Sequence, residues 1–156
     1  MIQISFSKIM QYTYDYPRPM VTTDCIVLHG ESENFKVLLI KRKNNPYKNL
    51  WALPGGFVDM NEDLEAAALR ELQEETGIIP ANIKQLFTVG TPGRDPRGRT
   101  ISVIYYTIFK SDMPTIIAGD DASEARWFSV NNLPGLAFDH TVVLQNGIEK
   151  ILATIK

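Results

Sequence analysis

The sequence lacks the features that mark disulfide-stabilised and membrane-spanning proteins. Cys25 is the only cysteine among the 156 residues, so no disulfide can form within the chain. It lies in the apolar run 25–28, where we expect a small buried side chain in a reducing compartment. No run approaches the roughly 18 consecutive apolar residues of a membrane span, and the first residues do not form a secretory signal. These absences predict a cytoplasmic location.

The chain also has little net charge. Its 16 lysines and arginines against 18 aspartates and glutamates leave a net charge of −2. This balance provides no overall basic field, so we expect neither a nucleic-acid partner nor a membrane partner. A polyanionic ligand would instead need a local site or a metal ion. With 44% hydrophobic and 22% charged residues and no internal repeat, the chain is typical of one globular domain, here 1–156.

Apolar, β-branched runs separated by turns predict a sheet. The predicted strands cover residues 21–29, 35–42, 84–90, 100–110 and 124–130. The first two form a hairpin across the polar turn 30–34, and the short piece before 54–56 is also strand-like. The loop 93–99 between the third and fourth strands is rich in arginine.

Two further segments, 62–76 and 139–155, have the apolar period of a helix. Asn61 suits the N-cap of the first helix, whose first turn is acidic, and Gly77 suits its C-terminal end. Strands, a central helix, more strands and a closing helix predict an α+β fold in which a mixed sheet packs between helices.

The first helix carries three glutamates on one face. Glu71, Glu74 and Glu75 are spaced i, i+3 and i+4, so they fall within an arc of about 100°. Carboxylates placed so close repel one another, and such a cluster of oxygen ligands suits a hard cation such as Mg²⁺ or Mn²⁺. The spacing alone is also compatible with a solvated acidic face.

The surrounding residues decide between these interpretations. From Gly56 to Ile78 the sequence follows the pattern G-x5-E-x7-R-E-U-x-E-E-x-G-U, where U is aliphatic, at every specified position. A match of this length is far more specific than a short motif. The chain therefore resembles the Nudix (MutT-like) hydrolases, with residues 56–78 as the Nudix box. The resemblance implies an α/β/α sandwich and hydrolysis of a nucleoside diphosphate linked to another moiety.

The resemblance also implies roles for the residues of the box. The metal, Mg²⁺ or Mn²⁺, would be held by the carboxylates of Glu71, Glu74 and Glu75 and by the backbone carbonyl of Gly55. The implied catalytic residues are Glu71, Glu74 and Arg70. Glu71 would be the general base or a further metal ligand, and Arg70 would hold Glu71 or Glu74 in place. Glu62 is interpreted as structural, in the surroundings of Arg70.

Residues outside the box look like the ADP-ribose pyrophosphatase branch of the family, which would produce AMP and ribose 5-phosphate. The resemblance lies in the stretch 40–58, in the loop 94–101 and in Pro92, a proline at the position where relatives that act on ADP-ribose often have one. The candidate substrate-binding residues are Arg97, Arg99, Arg42 and Phe138. The two loop arginines can clamp phosphate bidentately, or the loop can be a turn braced by Asp95.

Several other residues have two open interpretations. Asp120 and Asp121 are candidates for a distal acid or base, or form a plain acidic turn. His140 either touches substrate or is a polar residue at a helix N-terminus. Phe138 could stack on adenine, as could Trp51, although core packing is expected for Trp51. Arg42 either contacts phosphate or is a charge at a strand end.

Two alternative functions stay open. The first is hydrolysis of another nucleotide, such as an oxidised nucleoside triphosphate or a nucleotide sugar. The second is a regulator that binds ADP-ribose without cutting it. Such regulators usually have a degraded box and an attached DNA-binding domain, whereas this chain has an intact box and ends at Lys156. We therefore expect an enzyme. By resemblance alone, we expect a possible homodimer.

Overall fold

The computed structural model describes residues 12–119 and 122–155, which form a seven-stranded sheet and two α-helices. In chain order the elements are β1 (Met20–His29), β2 (Lys36–Arg42), β3 (Trp51–Ala52), β4 (Gly55–Phe57), α1 (Leu64–Thr76), β5 (Lys84–Val89), β6 (Thr100–Phe109), β7 (Ala122–Ser129) and α2 (His140–Thr154). The expected distal acids, Asp120 and Asp121, lie outside the described residues.

The sheet is mixed, as predicted. β1 runs parallel to β6 along its whole length, from the pair Met20 and Thr100 to the pair His29 and Phe109. The other pairings are antiparallel, in the order β3-β2-β1-β6-β5, with β4 on β1 and β7 on β2. Because β4 pairs with the first half of β1, its two glycines lie beside residues 22–24.

Side chains along β1 alternate between two hydrophobic layers, one on each face of the sheet. Ile26 and Leu28 pack in the layer of α2, and Cys25 and Val27 in the layer of α1. α2 contributes Val143, Leu144 and Ile151 to its layer, and α1 contributes Ala68 and Leu72. The predicted α/β/α sandwich is therefore confirmed.

Two findings bear on the expected environment of the protein. Cys25 is 1% exposed, as predicted, and burial, with a smaller contribution from the charge of Asp24, raises the pKa of its thiol to about 12. Within residues 12–119 and 122–155, no helix has both the length and the apolar character to cross a membrane. The cytoplasmic location stays a prediction.

α1 begins later than the sequence predicts. Its first residue is Leu64 and its N-cap is Asp63, so the prediction of a helix from 62 with Asn61 as N-cap is wrong. Glu62 instead closes a turn before the helix. Its backbone N–H donates to the Asp59 carbonyl at 3.2 Å, and its carboxylate accepts the Asp59 N–H at 3.1 Å. Because Glu62 lies in this turn, its side chain can bind a residue that lies beyond the first turn of α1.

α1 ends as predicted, and the chain leading to β7 covers its end. Gly77 takes the left-handed conformation, with φ of 71°, which glycine adopts without strain. Ile117 donates its N–H to the carbonyl of Thr76 at 2.9 Å, and Gly119 donates to that of Glu75 at 3.2 Å. These bonds fix the segment before β7 beside the acidic end of the helix.

Candidate functional site

The acidic end of α1 meets the glycines of β4. Buried alanines on α1 let the helix lie close to the sheet. Gly55 donates its N–H to Oε2 of Glu75 at 2.9 Å. A Cβ on Gly56 would overlap the carboxylate of Glu71, which would then have to move away. Close packing of helix and strand thus brings two box carboxylates against the backbone of β4.

Arg70 is the centre of a charge network. Its Nε and Nη2 donate to the carboxylate of Glu62 at 2.7 and 2.9 Å. Its Nη1 donates to Glu71 at 2.7 Å and to Glu74 at 3.3 Å, and Nη2 also donates to the carbonyl of Phe57 at 3.0 Å. The contacts expected of Arg70 are present, and so is the structural pairing expected of Glu62. Arg70 therefore fixes the orientation of two box glutamates.

The Glu62–Arg70 pair predicts a pH-dependent stability. Hydrogen bonds from Arg70 lower the pKa of Glu62 from 4.5 to about 2. A carboxyl group whose pKa is depressed in the folded state adds stability above its unfolded pKa, and this is lost as pH falls through the folded pKa. We expect Glu62→Gln to melt below wild type at pH 7, and the difference to close between pH 4.5 and pH 2.

Thermal melting of both proteins over this pH range checks the prediction. Glu149→Gln is the matched control, because Glu149 is an exposed glutamate on α2, the helix of the other layer. It should melt like wild type at each pH. A Glu62→Gln difference that persists unchanged at pH 2 would contradict the role of the charge.

A pocket with cationic and aromatic walls borders the two glycines of β4. The guanidinium carbon of Arg97 lies 4.8 Å from the ring centre of Phe57 and 5.1 Å from that of Phe138. Arg42 lies 4.8 Å from the same Phe138 ring. Three of the four expected substrate-binding residues, Arg42, Arg97 and Phe138, thus come together in one pocket.

Arg97 is braced within its own loop. Its Nε and Nη2 donate to the carboxylate of Asp95 at 3.0 and 2.7 Å, and its backbone N–H donates to the same group at 2.9 Å. Burial alone would raise the pKa of Asp95, but the hydrogen bonds from Arg97 outweigh it and lower the pKa. Asp95 therefore braces the arginine that lines the pocket, and the clamping of phosphate by this arginine stays a prediction.

Arg42 connects the pocket with the box. It lines the pocket of Arg97 and also a second pocket shared with Glu75 and Lys43. Its Nε donates to the carbonyl of Pro46 at 2.8 Å. Burial lowers the pKa of the Arg42 guanidinium, and the nearby positive charge of Arg97 lowers it further. Two guanidinium groups held near each other are poised to receive an anion between them.

Sequence analysis missed two residues of the pocket, Asp24 and Arg94. Asp24 is the one charged residue in the buried stretch 22–28 of β1, a signal that could have found it. Arg94, with 5% of its side chain exposed, donates to both carboxylate oxygens of Asp139 at 2.9 and 2.7 Å and to Ser102 at 2.6 Å. Three arginines lie in one irregular loop, and nothing in their order shows that this one is buried.

His140 lies inside the pocket and not merely at a polar helix end. It is the first residue of α2, is 5% exposed and lines the pocket. Its Nδ1 accepts the backbone N–H of Leu53 at 3.0 Å. Burial lowers the pKa of His140, against the opposing negative charge of Asp24. The residue is therefore positioned by backbone on one side and faces the pocket with the other.

Two other expectations have clear outcomes. Arg99 donates from Nη1 to the carbonyl of Gly90 and is not among the residues that line the pocket. The structure thus places it apart from Arg97, and its contact with substrate stays a prediction. Trp51 packs edge-on against Phe128, with ring centres 4.7 Å apart, beside the α2 layer. Its expected role in the core is confirmed.

The donors near α1 fit a hard cation in type. They are all oxygens, from three box glutamates and the backbone of β4, as Mg²⁺ and Mn²⁺ prefer. Glu75, at 7% exposure, keeps its carboxylate against Gly55. Within the described ranges, no three acidic, histidine or cysteine side chains already converge on one point. Two of the glutamates turn toward Arg70 instead.

The glutamates of α1, the pocket beside β4 and the sandwich up to the middle of α2 fall within a stretch that a family model matches. That model, the NUDIX domain, covers residues 18–147. The chain therefore belongs to the Nudix family.

Three similar proteins illustrate this membership. An ADP-ribose pyrophosphatase of Methanocaldococcus jannaschii is 48% identical over 84% of this chain and 74% of that protein. An ADPR-responsive transcriptional repressor of Acinetobacter baylyi is 36% identical over 96% of this chain, which spans only 63% of the repressor. The NUDIX domain of NrtR from Shewanella oneidensis, in a crystal with ADP ribose, has a TM-score of 0.77 at 34% identity, covering 92% of this chain and 94% of that one.

Proposed function

We propose that this chain hydrolyses ADP-ribose to AMP and ribose 5-phosphate. The observation that carries the proposal is the arrangement of the site. The box glutamates are intact and are held by Arg70, and they lie beside a pocket in which two arginines contact one aromatic ring. The archaeal relative is named for this activity, and the Shewanella domain binds ADP ribose. Both support the choice of substrate.

A divalent cation, Mg²⁺ or Mn²⁺, belongs to the proposal. Its donors would be the carboxylates of Glu71, Glu74 and Glu75 and the carbonyl of Gly55. When bound there, the cation neutralises the charge of the pyrophosphate and lowers the pKa of a coordinated water. It also explains how a chain with a net charge of −2 accepts a polyanion.

Proton transfer falls to the glutamates that Arg70 holds. Arg70 Nη1 contacts Glu71 at 2.7 Å, so the orientation of this carboxylate is fixed before substrate arrives. Glu71 takes the proton from the water that attacks phosphorus, with Glu74, on the same nitrogen of Arg70, as the alternative base. The bond from that phosphorus to the bridging oxygen breaks, and the two products leave as phosphomonoesters.

The pyrophosphate is received by Arg42 and Arg97. Both guanidinium groups contact the Phe138 ring. Arg42 also lines a pocket together with Glu75 of the box. An anion between them would relieve the repulsion of the two positive charges and gain charge-assisted hydrogen bonds. This position would place the scissile bond next to the carboxylates of α1.

The choice of substrate is tested with purified protein and Mg²⁺ against a panel of nucleotides. We expect kcat/KM for ADP-ribose to exceed that for dGTP, 8-oxo-dGTP and nucleotide sugars by at least about 10-fold. The reason is that Asp24 and His140, which also line the pocket, can pair with the hydroxyls of a ribose, whereas a terminal phosphate would meet the carboxylate of Asp24. A higher kcat/KM for a nucleoside triphosphate would reject this substrate and favour the first alternative.

The second candidate is a regulator that binds ADP-ribose. The repressor of Acinetobacter, similar over nearly the whole of this chain, favours it. The intact box, with Arg70 bonded to three of its glutamates, argues for catalysis. Tight binding of ADP-ribose without release of AMP in the presence of Mg²⁺ would identify a regulator. A homodimer remains a prediction, which the mass of the protein in solution tests.

A further inference from the structure

A carboxylate and an imidazole face each other in the pocket without bonding. Asp24 on β1 and His140 on α2 both line the pocket, and their side chains are 10% and 6% exposed. Oδ1 of Asp24 lies 3.7 Å from Nε2 of His140, whereas an N–H···O hydrogen bond spans about 2.7–3.2 Å. Across residues 12–119 and 122–155, the structure gives the Asp24 carboxylate no hydrogen bond. A nearly buried carboxylate without a hydrogen bond is available to bind a ligand that enters the pocket.

The space between Asp24 and His140 is a gap whose two sides have fixed and opposite hydrogen-bonding roles. Leu53 donates its backbone N–H to Nδ1 of His140 at 3.0 Å, so Nδ1 is the acceptor of the ring and Nε2 carries the proton. An ionised aspartate can only accept. The gap therefore has a donor on the His140 side and an acceptor on the Asp24 side. The backbone of Leu53 holds the imidazole in this tautomer.

A hydroxyl group satisfies both sides at once. An oxygen that lies beside the pair, about 2.8 Å from each of the two atoms, can bridge atoms that are 3.7 Å apart. It donates its proton to Asp24 and accepts that of His140. A phosphate oxygen has no proton to give and would meet the negative charge of Asp24. We propose that Asp24 and His140 bind a ribose hydroxyl of the substrate and thereby determine its specificity. This inference rests on the proposed function, since ADP-ribose is the source of the hydroxyl.

The pair should discriminate strongly against a substrate that lacks this hydroxyl. A site built to hydrogen-bond a hydroxyl rejects the deoxy analogue because its own polar groups are left unpaired and out of water. ADP-ribose has two riboses, one on the adenosine side and one terminal. The chemistry of recognition is the same for both, so the test must separate them.

Binding is measured by isothermal titration calorimetry in EDTA, where no hydrolysis occurs, and a protein that binds only with metal is compared through kcat/KM with Mg²⁺. The ligands are ADP-ribose and analogues that each lack one hydroxyl, at the 2 or 3 position of either ribose or at the free 1 position of the terminal ribose. The proteins are wild type, Asp24→Asn and His140→Asn, whose side-chain oxygen can still accept the N–H of Leu53. Asp112→Asn is the matched control, because Asp112 is exposed in the turn after β6.

We expect one analogue to bind wild type about 10-fold more weakly than ADP-ribose, and its position to show which ribose is bound. Asp24→Asn should bind ADP-ribose about 10-fold more weakly than wild type does, yet bind that analogue as well as it binds ADP-ribose. His140→Asn should show the same pattern, so that the inference survives if one variant fails to fold. Asp112→Asn should match wild type with every ligand.

Two results would overturn the inference. One is an equal loss of affinity for ADP-ribose and for every analogue in Asp24→Asn, which a purely structural role would give. The other is a wild-type affinity that no single hydroxyl changes, which would leave water alone in the gap. A protein that shows the expected pattern but releases no AMP with Mg²⁺ keeps this inference and loses the proposed activity. A protein that binds no ADP-ribose loses both.

Discussion

Glu75→Gln is expected to lower kcat for ADP-ribose by about 100-fold or more. Glu75 is 7% exposed, and its Oε2 accepts the N–H of Gly55 at 2.9 Å. This fixes the carboxylate beside the carbonyl that we propose as a metal donor. Glutamine keeps the shape but removes the negative charge, and the loss of one preorganised electrostatic group costs about 10²–10³ in kcat.

Two further measurements separate this effect from a general loss of structure. The affinity for Mn²⁺, followed by electron paramagnetic resonance, should fall together with kcat. The melting temperature should hold or rise slightly, because the amide oxygen still accepts the N–H of Gly55 and the repulsion among the glutamates is reduced. Glu65→Gln, exposed on the same helix, should keep its activity and its metal affinity. Near-normal turnover in Glu75→Gln would contradict the assignment of Glu75 to the metal.

Arg97→Ala is expected to reduce kcat/KM by roughly 10- to 150-fold, or about 1.5–3 kcal/mol, the scale of hydrogen bonds to a charged group. Arg97 contacts both aromatic rings of the pocket and lies near Arg42. Arg97→Lys keeps the charge but loses the planar fork, so about half of the effect is expected. A clamp on the ground state would act through KM, and one on the leaving phosphate would also lower kcat.

Arg97→Ala should also lower stability. From the sequence, the loop would be expected to be exposed and the melting temperature to change little. Asp95, however, has only 3% of its side chain exposed and relies on Arg97 as its cation. Leaving it without this partner is expected to cost about 1–3 kcal/mol. Arg99→Ala is the control, since Arg99 lies in the same loop on the carbonyl of Gly90. If Arg97→Ala loses stability but keeps its kcat/KM, Arg97 only stabilises the loop and does not bind substrate.

The box could be predicted because its chemistry demands particular residues at fixed spacing. Three carboxylates on one helical face and a glycine where the helix meets a strand are properties of a single local segment. The fold was predictable for a related reason. The continuous apolar run of β1 and the period of the helices are also local, and they determine the two layers of the core.

What the sequence could not show depends on contacts between distant residues. α1 begins at Leu64, and the carboxylate of Glu62 in the preceding turn binds Arg70, eight residues farther along the chain. Asp24 becomes part of the pocket only because β4 and α2 bring Gly55 and His140 beside it. In the arginine loop, no periodicity distinguishes the buried residue from the exposed one.

The most direct test of the central claim is ³¹P NMR of ADP-ribose incubated with the protein and Mg²⁺. We expect the pyrophosphate resonances to disappear and two phosphomonoester resonances, from AMP and ribose 5-phosphate, to appear in equal amounts. The Glu75→Gln variant should leave the pyrophosphate nearly intact over the same time. Unchanged pyrophosphate resonances in a wild-type protein that binds ADP-ribose would contradict hydrolysis and favour the regulator.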